Sequence, residues 1–323
     1  MKISSLVGKP AQLLLGAHDF RERSNSLFKL RSLASNFPVQ AGRRRGSGPG
    51  VAGGAMAIAR PRNRRAMLAA LTLCGACGCT APAPEPPPHR DVGQRLVPAD
   101  VDWAQPVYQT AFDDPAELKN WKLEGGKRIS LEKGKLVLEN AGAADHLVCW
   151  LKAEVPADFL LEFSVRPQNR KQGLNIVFFN ARGAHGESVF DPALRPRDGD
   201  FKQYHSGDLN NYHISYWAAD RGTANVRKNP GFHHVATGTD LIAGAPADAC
   251  QVVRLYKRGG KIRLMVDDII AVAFDDDGRT LGPVWTHSGW IALRQMGHTV
   301  RCEYEHLKIF PLLPPVGAGS TGK

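Results

Sequence analysis

The sequence predicts an all-β sandwich over residues 101–312, on three observations. From about Asp91 to Phe310 the chain runs as short apolar segments bounded by Gly, Pro, Asn and Asp, with almost no sustained 3.6-residue period. Several segments alternate side-chain character residue by residue, the pattern of a strand with one buried face. About 220 residues in ten or more strands exceed an immunoglobulin-sized unit and suit one large jelly roll.

The chain before that domain reads as an address. The formal charge is +11, but residues 1–90 hold 14 Lys and Arg against 3 Asp and Glu, and residues 91–323 hold 28 of each. The folded part is therefore electrically balanced, and no nucleic acid or anionic membrane is expected as its partner. Residues 56–79 resemble a bacterial lipoprotein leader: a basic stretch after Met56, a short apolar run too short to span a bilayer, and Cys77 or Cys79 as the acylated residue. Cleavage near Ala81 or Ala83 is the alternative, and Arg64-Arg65 resembles a twin-arginine signal. Residues 1–55 lie upstream of this signal and are expected to be either untranslated or disordered. Residues 80–100, with APAPEPPP, are expected to be a stiff tether, and residues 313–323 a disordered tail. The expected product is an exported monomer in the cell envelope, periplasm or medium, touching membrane only through the lipid. Three cysteines remain in its domain, Cys149, Cys250 and Cys302, too few for a disulfide framework.

Strands are expected at RISLE (128–132), KLVLEN (135–140), HLVCWLKAEV (146–155), FLLEFSVRP (159–167), GLNIVFFNAR (173–182) and NYHISYWAA (211–219). Further strands follow at CQVVRLYKRG (250–259), KIRLMVDDIIAVAFDD (261–276), SGWIALRQM (288–296) and VRCEYEHLKIF (300–310). Turn residues at Lys133-Gly134, Gly259-Gly260 and Asp277-Gly278 separate them. The helical exception is Asp114-PAELKNW, a turn or two with Pro near its start.

Alternation sorts four strands into an apolar face and a mixed face. Tyr212, Ile214 and Tyr216 oppose His213, Ser215 and Trp217; Leu147, Cys149 and Leu151 oppose His146, Val148 and Trp150. Leu174, Ile176 and Phe178 oppose Asn175, Val177 and Phe179; Ile291 and Leu293 oppose Trp290, Ala292 and Arg294. A face that only met water would carry more Lys, Glu, Thr and Ser. Flat aromatics beside planar amides and a guanidinium suit a sugar instead, stacking pyranose faces and binding hydroxyls. The alternative is that loops seal these residues in. The sugar reading requires Trp150, His213, Trp217 and Arg294 to converge on one open hollow.

The ordered set FDDPAELKNWKLEG, HLVCW, GLNIVFFNARG, DFKQYHSGDLNNYHISYW, RKNPGF, DDDG and GWIALRQM resembles the DUF1961 (YesU-like) family from about Phe112 to Phe310. The resemblance implies a concanavalin A-like jelly roll of two curved antiparallel sheets with a groove on the concave one. It also implies an association with polysaccharide breakdown, but no defined reaction.

For chemistry, the alternate carboxylates of a retaining glucanase strand are missing; the nearest pair is Glu303 and Glu305 on the last strand. A lyase needs a cation for the uronate carboxylate and a base near the C5 proton. Arg294, His213 and Tyr204 are the catalytic candidates. His146, Trp150, Asn175, Trp217, Arg227, Lys228, Asn229 and Trp290 are the substrate-binding candidates, with Arg227-Lys228-Asn229 expected on a loop. Gln295 falls on the apolar side by strict alternation. A hydrolase using Asp200 and Asp208 and a lectin-like module are the alternatives. No cofactor is required; a structural calcium at Asp275 and Asp277 is the metal candidate, against a plain hairpin turn. The sequence thus leads to an exported protein that binds an acidic polysaccharide or oligosaccharide in a concave-sheet groove, cleaving it in the enzyme reading and only holding it in the lectin-like one.

Overall fold

The computed structural model describes residues 85–142 and 146–315, and the expectations for the leader, Cys77, Cys79 and the last eight residues lie outside them. Among the described residues the strands are β1 (Tyr108–Thr110), β2 (Trp121–Gly125), β3 (Arg128–Leu131), β4 (Leu136–Glu139), β5 (Leu147–Leu151), β6 (Phe159–Pro167), β7 (Leu174–Gly183) and β8 (Leu209–Ala218). They continue with β9 (Asn225–Asn229), β10 (His233–Thr237), β11 (Gln251–Arg258), β12 (Lys261–Val266), β13 (Ile269–Asp275), β14 (Trp290–Gln295) and β15 (Arg301–Pro311). A 3-10 turn over Pro115–Asn120 and one helical turn, α1 (Lys202–His205), complete them; Asp114 caps the former by accepting from the Ala116 amide.

The strands form the two-sheet antiparallel jelly roll that the alternation predicts. One sheet runs β13-β12-β11-β6-β15-β4-β3 with β1 beside β15; the other runs β10-β9-β8-β7-β14-β5-β2. Between them lies one core, in which Leu147, Cys149, Val177, Phe179, Ile214 and Leu293 meet Leu161, Phe163, Val165, Leu255 and Ile309. Each such buried side chain contributes about 1.5–3 kcal/mol. A one-residue slip of any strand would forfeit that whole set, which fixes the register.

The structure corrects several expectations. The segment 261–276 is two strands: Asp267 and Asp268 both take positive φ, 50° and 68°, and close a two-residue hairpin without glycine. Arg227-Lys228-Asn229 is strand β9, not loop; its cations hid a strand in which Arg227 donates to the Phe232 carbonyl and Lys228 pairs with Asp276. Strand β7 has the opposite facing from the one read from its pattern. Both of its faces are apolar, so alternation carried no sign, and pairing of Val177 with Ile214 and Leu293 turns Val177, Phe179 and Asn175 inward. The tether is shorter than expected, because residues from His89 run along the outer face of the first sheet. There Val92, Leu96 and Val101 pack with Leu160, Met265 and Phe310, and Gly93 and Leu96 donate backbone hydrogen bonds to Ile270 and Asp268.

Candidate functional site

The outer face of the second sheet carries two rows of side chains set by strand register. One row runs His234, Arg227, His213, Phe178, Ala292, Trp150 and Lys122. The next runs Asn225, Ser215, Ile176, Arg294, Val148 and Glu124. Polar and aromatic groups from β2, β5, β14, β7, β8 and β9 thus share one surface.

A roof covers part of it. The segment between β7 and β8 lays Val189, Phe190, Leu194, Phe201 and Tyr204 onto Trp150, Phe178 and Trp290. Glu124, 4 % exposed, pins the roof down: its Oε2 accepts from Trp150 Nε1 at 2.9 Å and the Tyr204 hydroxyl at 2.9 Å. Arg197 adds bonds of 3.0 and 3.1 Å to the same carboxylate. A carboxylate so placed satisfies two buried donors and one cation at once, and charge-assisted bonds of this kind are the strong ones. Tyr204 is fully buried, and burial, then the Glu124 charge, pushes its hydroxyl pKa well up.

Beside this hub, the Arg294 side chain is fully buried, and none of its three guanidinium nitrogens has a hydrogen-bond partner among the described residues. The Phe201 ring lies over it, 4.0 Å from guanidinium carbon to ring centroid. Burial pulls its pKa down to about 10. An isolated buried cation costs several kcal/mol in lost hydration, and a cation–π contact returns only about 2 kcal/mol. The guanidinium is therefore a buried charge whose hydrogen-bonding capacity is unused among the described residues.

Next to it a chain of polar contacts reaches His213, 2 % exposed: Asn211 Nδ2 to the Tyr204 carbonyl at 2.8 Å, Asn229 Nδ2 to Asn211 Oδ1 at 2.7 Å, and Asn229 Nδ2 to His213 Nδ1 at 2.9 Å. The rings of Phe178, Phe201 and Phe232 lie 5.3–5.8 Å from the His213 ring. Burial, then the charges of Arg227 and Arg294, depresses the His213 pKa well below the usual histidine value. His205 packs against Phe232 and Phe201 at 4.3 and 4.6 Å, and its pKa is lowered chiefly by burial.

Past the second row the face opens into a cleft of about 760 Å³, lined by Leu174, Met296, Lys171, Arg221, His298 and Asp220 among others. Its volume is in the range of small-ligand sites, and its charged lining is more basic than acidic. Arg221 reaches back from the cleft wall to donate to Ser215 Oγ at 2.7 Å, tying the cleft to the row that carries Arg294.

The structure brings together Arg294, His213, Asn229, Arg227, Trp150, Trp290 and Tyr204, and it separates the others. Trp217 is buried in the inter-sheet core, because the register between β7 and β8 shifts at Asn175/Ile176 and Tyr216 becomes an extra residue. Gly173 accommodates it there: a Cβ on Gly173 would lie 2.5 Å from the Trp217 ring. Asn175 also turns inward, donating to Cys302 Sγ at 3.2 Å. Lys228 points to the face opposite Arg227 and Asn229, where it pairs with Asp276 at 2.7 Å and donates to the Gly282 carbonyl. Gln295 faces the core as expected and donates to the Tyr304 hydroxyl. His146 is half-buried at the start of β5, its Nδ1 accepting from the Gly297 amide. Trp150 and Trp290 share the outer face but lie under the roof, with Trp290 Nε1 donating to the Lys152 carbonyl. The four groups therefore do not meet in an open hollow: Trp217 lies in the core, Trp150, His213 and Arg294 are buried on the outer face, and neither Trp150 nor Trp290 presents a free stacking platform. Arg227 sits 3.8 Å from the Phe232 ring centroid.

The carboxylate candidates are engaged. Asp208 is gripped by Arg195, which holds its pKa at about 2, and Asp200 caps its own turn through the Lys202 amide. Glu303 and Glu305 belong to the other sheet, bound by Arg166, Lys135 and Arg301. Asp275 pairs with Arg263 and His89, whereas Asp277 accepts from Arg279 and Thr280, so the two diverge. Among the described residues no group of three acidic, His or Cys side chains is set to hold a metal. Phe201, His205, Asn211 and Glu124 were missed; only the YHSGDLNNYH run, with polar residues at both ends of a turn, signalled two of them.

A family model described as "Domain of unknown function (DUF1961)" matches residues 105–309. A Bacillus subtilis (strain 168) protein described as "Uncharacterized protein YesU" is 36 % identical over 197 residues, covering 59 % of this chain and 89 % of that protein. A crystal structure described as a protein of unknown function with galectin-like fold, from Bacillus subtilis, superposes with a TM-score of 0.61 at 31 % identity. It covers 66 % of this chain and 100 % of its own.

Proposed function

This chain belongs to the DUF1961 family, and on that premise we propose that the outer face of its second sheet binds an acidic saccharide, with the sugar carboxylate seated on Arg294. The observation that carries this reading is the Arg294 guanidinium, fully buried and without a hydrogen-bond partner among the described residues. A carboxylate offers the bidentate geometry and the single charge that this fork lacks. The adjoining cleft, with Lys171, Arg221 and His298, supplies room and positive potential for neighbouring acidic units. Asn229 Oδ1, buried and also without a partner, suits a hydroxyl donor on the same ligand.

In the lyase form of this reading, Arg294 neutralises the carboxylate and so acidifies C5–H. A base takes that proton, its electron pair forms the C4–C5 double bond, and the C4–O bond breaks with the leaving oxygen taking a proton. The imidazoles beside the Phe201–Phe232 pair, His213 and His205, are the base candidates. A hydrolase is less well supported, because Asp200, Asp208 and Glu124 are all committed to other partners. A non-catalytic binding module is favoured by one specific observation: the Tyr204 hydroxyl is spent on Glu124 and cannot move a substrate proton.

Calorimetric titration with oligogalacturonate and with a neutral oligosaccharide of equal length tests the binding claim; equal affinity for both, or none for either, refutes it. Ultraviolet absorbance of unsaturated uronate on incubation with pectic and algal polyuronates separates lyase from module.

A further inference from the structure

The contacts that end at His213 have a direction. The Tyr204 backbone carbonyl can only accept, so the Asn211 group 2.8 Å from it must be the amide nitrogen, which turns Asn211 Oδ1 toward Asn229. At 2.7 Å from that oxygen, Asn229 must present its own nitrogen, since two amide oxygens would repel there. The same nitrogen lies 2.9 Å from His213 Nδ1 and has its second hydrogen to give. Nδ1 therefore accepts. The ring proton of a neutral imidazole then has one place left, Nε2, and a second proton would set N–H against N–H.

We infer that His213 is locked as a neutral imidazole with its proton on Nε2, and serves the bound saccharide as a fixed hydrogen-bond donor rather than as a base. This deepens the proposed function and rests on it only for the identity of the ligand; the tautomer follows from the protein alone. Every packed element agrees with a neutral ring. Burial disfavours the charged ring most, Arg227 on β9, Arg294 on β14, His205 on α1 and Arg221 beyond β8 add to it, and none of these leading influences is a carboxylate. The aromatic rings of Phe178, Phe201 and Phe232 pack against the imidazole. A donor fixed in this way recognises an acceptor oxygen, a ring, hydroxyl or carboxylate oxygen of the sugar, next to the site that holds the charge. In the lyase form the C5 proton would go to His205, which the relay does not reach.

Histidine ¹⁵N NMR on the full chain tests this, with the His213 pair assigned by its loss in His213→Gln. The expected result is Nδ1 in the unprotonated range and Nε2 in the protonated range, unchanged between about pH 5 and 8. A protonated Nδ1, or a titration within that interval, overturns the relay. Asn229→Asp supplies an acceptor in place of the donor and should move the proton to Nδ1 and restore titration; retention of the Nε2–H form in that variant would also overturn it. Adding trigalacturonate should shift the Nε2 signal and leave Nδ1 in place. Binding without an Nε2 shift rejects the donor role, whereas absence of binding rejects the saccharide reading and leaves the tautomer decided by the ligand-free spectrum.

Discussion

The Phe201 ring covers the Arg294 guanidinium at 4.0 Å, and the same ring lies 5.4 Å from His213. One half-buried side chain on the roof therefore shields both polar groups of the candidate site. A carboxylate reaching Arg294 has to displace it, exchanging a cation–π contact of about 2 kcal/mol for a charge-assisted pair. Phe201→Ala should speed association of an oligouronate, read by stopped-flow fluorescence, while lowering stability by about 2 kcal/mol. An unchanged association rate would mean that the ligand does not enter beneath this ring.

Arg294→Met removes a charge that the free protein buries without a partner. Chemical denaturation should show stability unchanged or raised, by about 1 kcal/mol or more, because the desolvation cost disappears. Oligouronate affinity should fall by about 10- to 100-fold, the worth of a hydrogen bond to a charged group. Arg294→Lys keeps the charge but not the fork and should fall between. Marked destabilisation by Arg294→Met would point instead to a structural role.

Glu124→Gln breaks the hub that joins Trp150, Tyr204 and Arg197. Half of the acceptor capacity is lost and the Arg197 side chain, 6 % exposed, loses its counter-charge. The expected cost is about 3 kcal/mol. Hydrogen exchange should report faster opening confined to residues 189–205 and their partners on β2 and β5; uniform acceleration across both sheets would show that the roof is not a separate unit.

Adjacent residues of β9 should behave oppositely. Lys228→Met strands Asp276 in the interior and should destabilise by about 3–5 kcal/mol with little change in ligand affinity. Arg227→Met changes the outer face, the proposed binding side, and should cost about 1 kcal/mol of stability yet weaken oligouronate binding. Equal effects in both assays would contradict the facing of the strand.

Stability should fall on acidification. The pKa of His213 is lowered in the folded chain, chiefly by burial, and those of His205 and His234 are lowered too. Below about pH 6.5 the unfolded chain takes up protons that the native one refuses, so each such group removes up to about 1.4 kcal/mol per pH unit. Urea midpoints at pH 7, 6 and 5 should show this slope, and His213→Gln should reduce it by about one proton even if its absolute stability drops. An unchanged slope would mean that His213 titrates normally.

What was legible in the sequence was the period-2 pattern, which rests on burial and so survives into any packed sheet. It placed His213, Trp150, Trp290 and Arg294 on one face correctly. It failed where local pattern carries no sign: β7 is apolar on both sides, a bulge at Tyr216 reversed Trp217, and β9 hid its strand behind two cations and an amide. The roof was illegible for another reason. Phe201, Tyr204 and Glu124 meet only through tertiary folding, and their spacing in sequence says nothing of the shared carboxylate. Resemblance supplied the jelly roll but could not supply that closure.

Lys228 and Asp276 lie on the opposite side of the sheet from Asn229 and His213, yet they act as a detent for them. Slipping β9 by one residue would carry Lys228 away from Asp276 to the outer face and push Arg227 among Tyr212 and Trp285, a double penalty that holds Asn229 beside His213. The outer face is thus calibrated from behind, so substitutions on the core side of β9 can still shift Asn229 against His213.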